Sequence, residues 1–188
     1  MPLSSSEVEV KIAIPSVRAG RQRLRGSGFQ IHVPRHFEAN MIWDTRDFRM
    51  RSEGKVVRIR LARRQSILTF KGRSADTHHK VREEIETRVE DAAVLERILR
   101  ELDLVPVFRY EKYRTEYADG KSHGLIMLDE TPIGCFLEIE GRPRWIDHTA
   151  RQLGFGLTDY ITASYGALYA QYCCERGIQP SNMIFDRK

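Results

Sequence analysis

Long apolar runs are missing from this sequence. No stretch of the 188 residues approaches the roughly 20 apolar residues that a membrane-spanning helix needs. The opening residues, MPLSSSEVEV, also lack the charged-then-apolar layout of a signal peptide. We therefore expect a protein that neither crosses a membrane nor is exported.

Cysteine is scarce, and the other common site signatures are absent. The three cysteines are Cys135 in an apolar run and the adjacent pair Cys173 and Cys174, an odd count without framework spacing that is typical of a reducing compartment. The six histidines show no cysteine-paired spacing, which argues against zinc. Glycine-rich phosphate loops and dinucleotide fingerprints are missing as well. We expect a cytoplasmic protein.

Charge is abundant, and its balance is basic. The net charge of +5 and the pI near 9.2 indicate an anionic partner, but they do not distinguish nucleic acid from polyphosphate or a small phosphorylated compound. No repeat, low-complexity tract or Pro/Gly linker divides the chain. We therefore expect a single domain over residues 1–188, with a C-terminal helical segment, about 146–188, packed on the rest.

Two periodicities predict the secondary structure. Period-two alternation predicts strands at 7–14, 40–45, 57–61, 68–71, 81–89, 107–117, 124–129 and 134–140. Helical spacing predicts helices at 16–27, 91–103 and 162–176, and a shorter one at 147–153. Ser16 and Asp91 are expected to cap the first two helices, and Gly177 is expected to end the third. The pattern is α+β, with antiparallel strands dominant.

The polar phase of these strands is almost wholly ionisable. The cations are Lys11, Arg58, Arg60, Lys71, Arg82, Lys112 and Arg114; the carboxylates are Glu7, Glu9, Glu84, Glu86, Asp129, Glu138 and Glu140. Such faces can be solvated, with weak cross-strand ion pairs. If the apolar phase instead packs outward under helices, the charged phase must line the inside of a barrel, where it needs counter-ions, water or a highly charged ligand.

The mixture of charges indicates the chemistry of that ligand. Paired carboxylates, as in Glu7 with Glu9 and Glu138 with Glu140, are hard oxygen donors suited to Mg²⁺ or Mn²⁺. Arginine and lysine from several strands suit the oxygens of a polyphosphate. Metal ligands and phosphate-binding cations together favour phosphoryl or nucleotidyl transfer.

Seven motifs in order give the sequence a family resemblance. They are E-x-E-x-K at 7–11, W-D-T at 43–45, V-R-I-R at 57–60, L-T-F-K-G at 68–72, R-E-E-I-E at 82–86, K-Y-R at 112–114, and L-D at 128–129 with G-C-F-L-E-I-E at 134–140. An S-Y pair at 164–165 follows. The set spans roughly residues 6–170 and resembles the CYTH, or triphosphate tunnel metalloenzyme, family.

The resemblance implies a fold and roles for single residues. The fold would be an eight-stranded antiparallel β-barrel, the triphosphate tunnel, with helices packed outside. The metal, Mg²⁺ or Mn²⁺, would be held by Glu7, Glu9, Glu138 and Glu140. The triphosphate would be bound by Lys11, Arg58, Arg60, Lys71, Lys112 and Arg114. Catalytic roles would fall to Glu84, Glu86 and Asp129 together with Arg60 and Lys71. Family members are often homodimers.

Three functions are compatible with these residues. Hydrolysis of a small-molecule triphosphate (inorganic, thiamine or nucleoside) is favoured because it demands least of the site. Conversion of ATP to cyclic AMP and pyrophosphate is the alternative. The third is a non-catalytic nucleotide, polyphosphate or RNA binder, using arginines 18, 21, 23 and 25. That stripe is more typical of a solvated helix face, and no RNA-reading signature accompanies it, so we do not expect a nucleic acid partner.

Overall fold

The alternating segments form the eight strands of a closed barrel. The computed structural model describes residues 5–74, 78–120 and 123–186. The strands are β1 Ser5–Ile14, β2 Gln30–Thr45, β3 Val56–Ala62, β4 Gln65–Lys71, β5 Lys80–Val89, β6 Leu104–Ala118, β7 Gly124–Thr131 and β8 Gly134–Gly141. Their order around the barrel is β1-β5-β4-β3-β2-β6-β7-β8, and every neighbouring pair is antiparallel. The predicted eight-stranded barrel is confirmed.

The described residues also form five α-helices and a short 3₁₀ helix. They are α1 Val17–Gly26, α2 Arg49–Ser52, α3 Ala92–Glu101, α4 Pro143–Gln152 and α5 Tyr165–Arg176, with the 3₁₀ turn at Leu157–Asp159. The predicted caps are confirmed: Ser16 accepts a hydrogen bond from the Ala19 amide, and Asp91 accepts from two amides of α3. Gly177 ends α5 with a φ of 63°, a conformation that glycine adopts without steric cost.

The structure corrects several predicted boundaries. β2 has 16 residues and begins ten residues before the predicted 40–45 strand. Its first part was missed because both of its faces are largely exposed and its register with β6 is irregular, so no apolar alternation marks it. Helix α4 begins at Pro143, and α5 begins at Tyr165. The short α2 was not predicted; the Asp44 carboxylate holds it by accepting from the Met50 and Arg51 amides, and it also accepts from the Thr45 amide before the helix.

The apolar phase of the strands points outward, under the helices. Val10 and Ile12 of β1 and Ile139 of β8 pack in one cluster with Leu24 of α1 and Ile146 of α4. Burying each such side chain contributes about 1.5–3 kcal/mol. A second cluster joins β2, β3 and α3 on another side of the barrel. The charged phase therefore points into the barrel.

The chain after α5 completes one side of the barrel. β7 pairs with β6 only over Tyr113–Tyr117, which leaves an earlier part of the β6 edge open. There the Met183 carbonyl accepts from the Glu111 amide (2.9 Å), and the Met183 amide donates to the Arg109 carbonyl (2.9 Å). Helix α5 and this C-terminal strand-like segment thus lie against the barrel interior. Among the described residues, no helix has the length and apolarity to span a membrane.

Candidate active site

The barrel encloses a cavity of about 550 Å³ lined mainly by ionisable side chains. The predicted site residues at its wall are Glu7, Glu9, Lys11, Arg58, Arg60, Lys71, Glu84, Glu86, Lys112, Arg114, Glu138 and Glu140. Asp129 is the predicted residue that does not line the cavity; it lies behind the wall. The inward orientation of the charged phase, inferred from alternation, is what the structure shows.

The strand register brings the acidic residues together. Glu9 of β1 lies directly opposite Lys80 of β5 on one side and Glu140 of β8 on the other. Lys11 lies opposite Glu138. Directly opposed residues of antiparallel strands have their Cβ atoms about 4.5–5.5 Å apart. Three strands that are distant in sequence therefore place carboxylates and ammonium groups in alternation at one side of the cavity.

The carboxylates of Glu7, Glu9, Glu138 and Glu140, called here the acid wall, differ in their partners. The Lys11 ammonium donates to Glu9 (2.8 Å) and lies 3.0 Å from Glu138. The remaining three cations that contact the wall are Lys80 at Glu9, Lys71 at Glu7 (2.6 Å) and Arg114 at Glu138 (2.8 Å). Glu140 has no ion-pair or hydrogen-bond partner within the described part of the chain.

These partners set the pKa values of the wall. Burial and the charge of Glu138 oppose ionisation of Glu9, but Lys11 and Lys80 outweigh both and lower the pKa of Glu9 to about 2. Burial raises the pKa of Glu140 to about 7, and the charges of Glu7 and Glu138 add to that effect. Among the described residues the wall therefore carries one carboxyl group, that of Glu140, which no cation contacts.

A cationic side of the cavity is formed by β3 and β4. Arg58 donates to Thr69 (3.1 Å) and lies 3.3 Å from Glu86. Arg60 donates from Nε to the Asn40 side-chain carbonyl (3.2 Å). The guanidinium groups are thus held from behind while they line the cavity, an arrangement suited to binding the oxygens of a polyphosphate.

Lys71 joins this cationic side to the acid wall. Its ammonium group donates to Glu7 (2.6 Å) on β1 and to Glu84 (3.1 Å) on β5, the strand that lies between β1 and β4. Burial raises the pKa of Glu84 to about 8, with Lys71 opposing the shift and Glu7 adding to it. Glu84 and Glu86 lie on the same inward phase of β5.

Asp129 forms a fully paired cluster behind the cavity. Arg114 donates two hydrogen bonds to its two oxygens (both 2.7 Å), Lys112 donates a third (2.9 Å) and the Tyr165 hydroxyl a fourth (2.7 Å). Lys112, Arg114, Asp129 and Tyr165 are called here the Asp129 cluster. Asp129 is 0% exposed. It fixes the cations that reach the cavity and cannot itself contact a ligand there.

Sequence reasoning missed some residues of the site. Lys80 pairs with Glu9, and it continues the charged phase of β5 by one step before the predicted start of that strand. Glu38 is buried beside Lys112, and the pKa of its carboxyl lies well below the ordinary range, against the effect of burial, because of Lys112 and Arg114. Glu38 and Asn40 alternate with the apolar Phe37, Ala39 and Met41, so a predicted strand starting at 37 rather than at 40 would have included Glu38. Arg82, which the sequence placed among the cations of the charged phase without a role in the site, lines the cavity and donates to the Gly54 carbonyl.

The donor set of the acid wall fits a divalent cation in its chemistry. All four donors are carboxylates, the hard oxygen ligands that Mg²⁺ and Mn²⁺ prefer. The unpartnered Glu140 carboxylate gains a favourable neighbour when a cation binds. Within residues 5–74, 78–120 and 123–186 no three acidic, histidine or cysteine side chains already stand in a metal-binding arrangement. Lysine and arginine groups contact three of the four carboxylates instead.

Comparison with known proteins identifies the family of the chain. Residues 5–162 match the CYTH domain model. A protein from Methanocaldococcus jannaschii named as a candidate adenylate cyclase is 29% identical over 134 residues, covering 71% of this chain and 75% of that protein.

Solved structures share the fold. The PH1819 protein of Pyrococcus horikoshii (24% identity, TM-score 0.74) matches 88% of this chain and 99% of its own, and a candidate adenylate cyclase of Vibrio parahaemolyticus (18%, 0.73) matches 87% and 97%. The HpAC1 protein of Hippeastrum (18%, 0.63) matches 93% and 97%, and it is described as a candidate adenylyl cyclase with a dominant triphosphatase activity. The solved structures show the shared fold, and the family model matches most of the sequence. The chain therefore belongs to the CYTH domain family, whose enzymes are metal-dependent.

Proposed function

We propose that this protein is a metal-dependent hydrolase of triphosphates, with the reaction inside the barrel. The observation that carries the proposal is the pairing, in one enclosed cavity, of an acid wall that has an uncompensated carboxylate with a cationic side of arginine and lysine. An anion-binding site alone gains nothing from four carboxylates, because they repel phosphate. A metal site alone does not need guanidinium groups held in place from behind.

The acid wall is the proposed metal site. Glu7, Glu9, Glu138 and Glu140 would hold Mg²⁺ or Mn²⁺, and the bound ion would withdraw negative charge from the phosphate oxygens. Lys80 and Lys11 hold the Glu9 carboxylate in the ionised form that a metal ligand requires.

The cationic side is the proposed triphosphate site. Arg58, Arg60 and Lys71 from β3 and β4, with Lys11, Lys112 and Arg114 from β1 and β6, surround the cavity and complement a chain of charged oxygens. Guanidinium groups bind two oxygens at once, whereas ammonium groups act as point charges. Because these groups are already positioned, they stabilise the charge that moves onto the leaving phosphate without reorganising.

Glu84 and Glu86 are proposed to orient the attacking water. Both lie on the inward phase of β5, where they contact Lys71 and Arg58 and therefore face the triphosphate site. Asp129 is proposed as a positioning residue, because its four hydrogen bonds hold Lys112 and Arg114 and it has no access to the cavity. The sequence-based expectation of a direct catalytic role for Asp129 is replaced by this one.

Adenylate cyclase is the second candidate function. The support is the naming of relatives: the M. jannaschii protein is named as a candidate adenylate cyclase, and the Hippeastrum protein combines that name with triphosphatase activity. Both reactions need the same hold on the triphosphate. They differ in the nucleophile, which is water in the hydrolase and the ribose 3′-hydroxyl in the cyclase.

Product identification separates the candidates. The purified protein is offered ATP, thiamine triphosphate and inorganic triphosphate with Mg²⁺ or Mn²⁺. Release of orthophosphate supports the hydrolase; cyclic AMP with pyrophosphate supports the cyclase. Metal-dependent binding without any product contradicts both and identifies a binding module.

We further propose that residues 1–188 act as a single domain in the cytoplasm, and that the protein forms a homodimer.

A further inference from the structure

Helix α3 carries an apolar stripe that nothing in the described chain covers. Val94, Ile98 and the C-cap residue Leu102 follow one another at four-residue intervals, so they lie along one side of the helix. Each of them is between 49% and 64% exposed. Leu95 and Leu99 instead pack in the cluster that joins α3 to β2 and β3. The three exposed residues, called here the α3 stripe, are therefore not needed to hold the helix on the barrel.

The outer face of the neighbouring sheet adds to this apolar surface. Leu61 of β3 and Ile85 of β5 share the outward phase with Ile59 and Phe70, which pack in the same cluster, yet both are exposed. Five of the eleven exposed large apolar side chains in the described part of the chain thus border one cluster. Single exposed apolar residues are ordinary, whereas a contiguous group of them marks an interaction surface.

A pair of opposite charges borders one edge of the stripe. On a helix of 3.6 residues per turn, Glu101 and Arg97 lie about 60° and about 100° round from Ile98, on the side away from Leu95. Both side chains are exposed, and neither makes an ion pair or a hydrogen bond with another residue that the structure describes. The edge can therefore pair with charges on a second molecule.

The charged edge is complementary to itself across a two-fold axis. If two copies of α3 pack antiparallel about an axis close to Ile98, the same edge of each helix meets, and Val94 of one copy faces Leu102 of the other. Because each residue advances the helix by 1.5 Å, Arg97 of one copy lies within about 3 Å, measured along the axis, of Glu101 of the other. The reciprocal pair forms at the same time, as a two-fold symmetric interface requires. A parallel arrangement would separate the two charged edges.

We infer that a second copy of this chain covers the α3 stripe through an antiparallel α3–α3 contact. The stripe forms the apolar centre of the interface, Leu61 and Ile85 extend it onto the sheet, and the two Arg97–Glu101 pairs form its polar rim. None of these residues lines the barrel cavity, so the contact leaves the proposed active site open. The inference gives the proposed homodimer a surface, and it does not depend on which reaction the barrel catalyses.

Sedimentation equilibrium of the full chain over a concentration series tests the contact through the dimer Kd. The wild type should be dimeric. Ile98→Asp places a carboxylate of each copy at the apolar centre and should give a monomer at every concentration. Leu157→Asp is the matched control: Leu157 is 59% exposed on the 3₁₀ turn and lies outside this surface, so the wild-type Kd should be kept.

Charge reversal tests the antiparallel arrangement. Arg97→Glu sets like charges opposite each other in both reciprocal pairs and should raise the dimer Kd at least about tenfold. Combining Arg97→Glu with Glu101→Arg restores both pairs in reversed order, and most of the lost affinity should return. Both positions are exposed, and circular dichroism checks that each variant folds.

Three results overturn the inference. A wild type that is monomeric throughout would leave the stripe to a different partner. A dimeric Ile98→Asp variant would mean that the copies meet through another face. A double charge reversal that weakens the dimer as much as Arg97→Glu alone, or a single reversal without effect, would exclude the antiparallel contact. Should Ile98→Asp not fold, the charge variants decide alone.

Discussion

The Asp129 cluster and the acid wall both hold buried carboxylates but differ in how those charges are balanced. Asp129 accepts four hydrogen bonds from two cations and a hydroxyl and is fully buried. In the acid wall, Glu140 has no partner among the described residues, and burial with neighbouring carboxylates raises its pKa to about 7. A balanced cluster holds its members in place; an unbalanced one attracts a cation.

The contrast explains why ionisable residues on the same inward phase have two roles, which are to hold neighbouring side chains in place and to attract a metal ion. A buried carboxylate with all its partners, such as Asp129, does not bind a metal ion readily, because binding would have to replace hydrogen bonds of good geometry. A buried carboxylate next to others of its sign is relieved by a metal ion. The predictions below challenge this difference, beginning with the largest effect.

Removing the charge of Asp129 should destabilise the protein severely. Asp129→Asn leaves Lys112 and Arg114 buried without their main counter-charge, which costs about 3–5 kcal/mol in the free energy of unfolding. Urea denaturation at pH 7.5 in EDTA measures it. Glu140→Gln is the matched variant and should be neutral or stabilising under the same conditions, since it removes an unpartnered carboxylate. Equal losses in both variants would erase the distinction between the two regions.

Arg60 should discriminate the length of the phosphate chain. Its guanidinium lines the cavity and is held by Asn40, so Arg60→Ala removes a charge-assisted contact without leaving a buried carboxylate in the acid wall unpaired. We expect triphosphate affinity to fall about 10- to 100-fold and diphosphate affinity to fall less, as measured by calorimetry. Arg88→Ala, an exposed arginine on β5, is the control. The same loss for both ligands would mean that Arg60 does not reach the terminal phosphate.

Glu140 of the acid wall and the nearby Glu84 should make the metal-free protein less stable as pH rises. The pKa values of Glu140 and Glu84 are raised to about 7 and about 8 in the folded state, so the folded protein binds their protons more tightly than the unfolded chain does. Their stabilising contribution is complete below pH 4.5 and is lost through pH 7 to 8. Urea denaturation in EDTA across pH 5 to 8.5 should show this decline, and Glu140→Gln should reduce it. A variant with the wild-type pH profile would contradict the charge balance described for Glu140.

Much of the fold could be predicted because alternation is strong where one strand face is buried. β1, β3 and β8 place buried apolar residues outward and charges inward, and this gives both the strand and its orientation. The first part of β2 has no buried face of its own, so its length could not be found; Glu38 lies just after that exposed part, opposite Lys112 of β6. The α2 turn depends on the hydrogen bonds that Asp44 accepts from Met50 and Arg51 rather than on periodicity.

The role of each site residue was harder to predict than its position on the inward face of a strand. Asp129 shares the inward phase with the cavity residues, but its depth depends on Tyr165 and Arg114, which are distant in sequence. Glu9 is the obvious choice for testing a metal site, yet Glu9→Gln would also remove the carboxylate that Lys80 contacts and one of the two that Lys11 contacts. Glu140, whose carboxylate holds no other residue, gives a cleaner test.

The most direct test of the metal-dependent acid wall compares phosphate release from triphosphates by the wild type and Glu140→Gln across a Mg²⁺ and Mn²⁺ titration. We predict that the wild type requires the metal and that the variant, with its fold verified by circular dichroism, loses at least about tenfold in kcat/KM and needs more metal for half-maximal rate. Equal rates and equal metal requirements for the two proteins would contradict the account, because the acid wall would then have no part in the reaction.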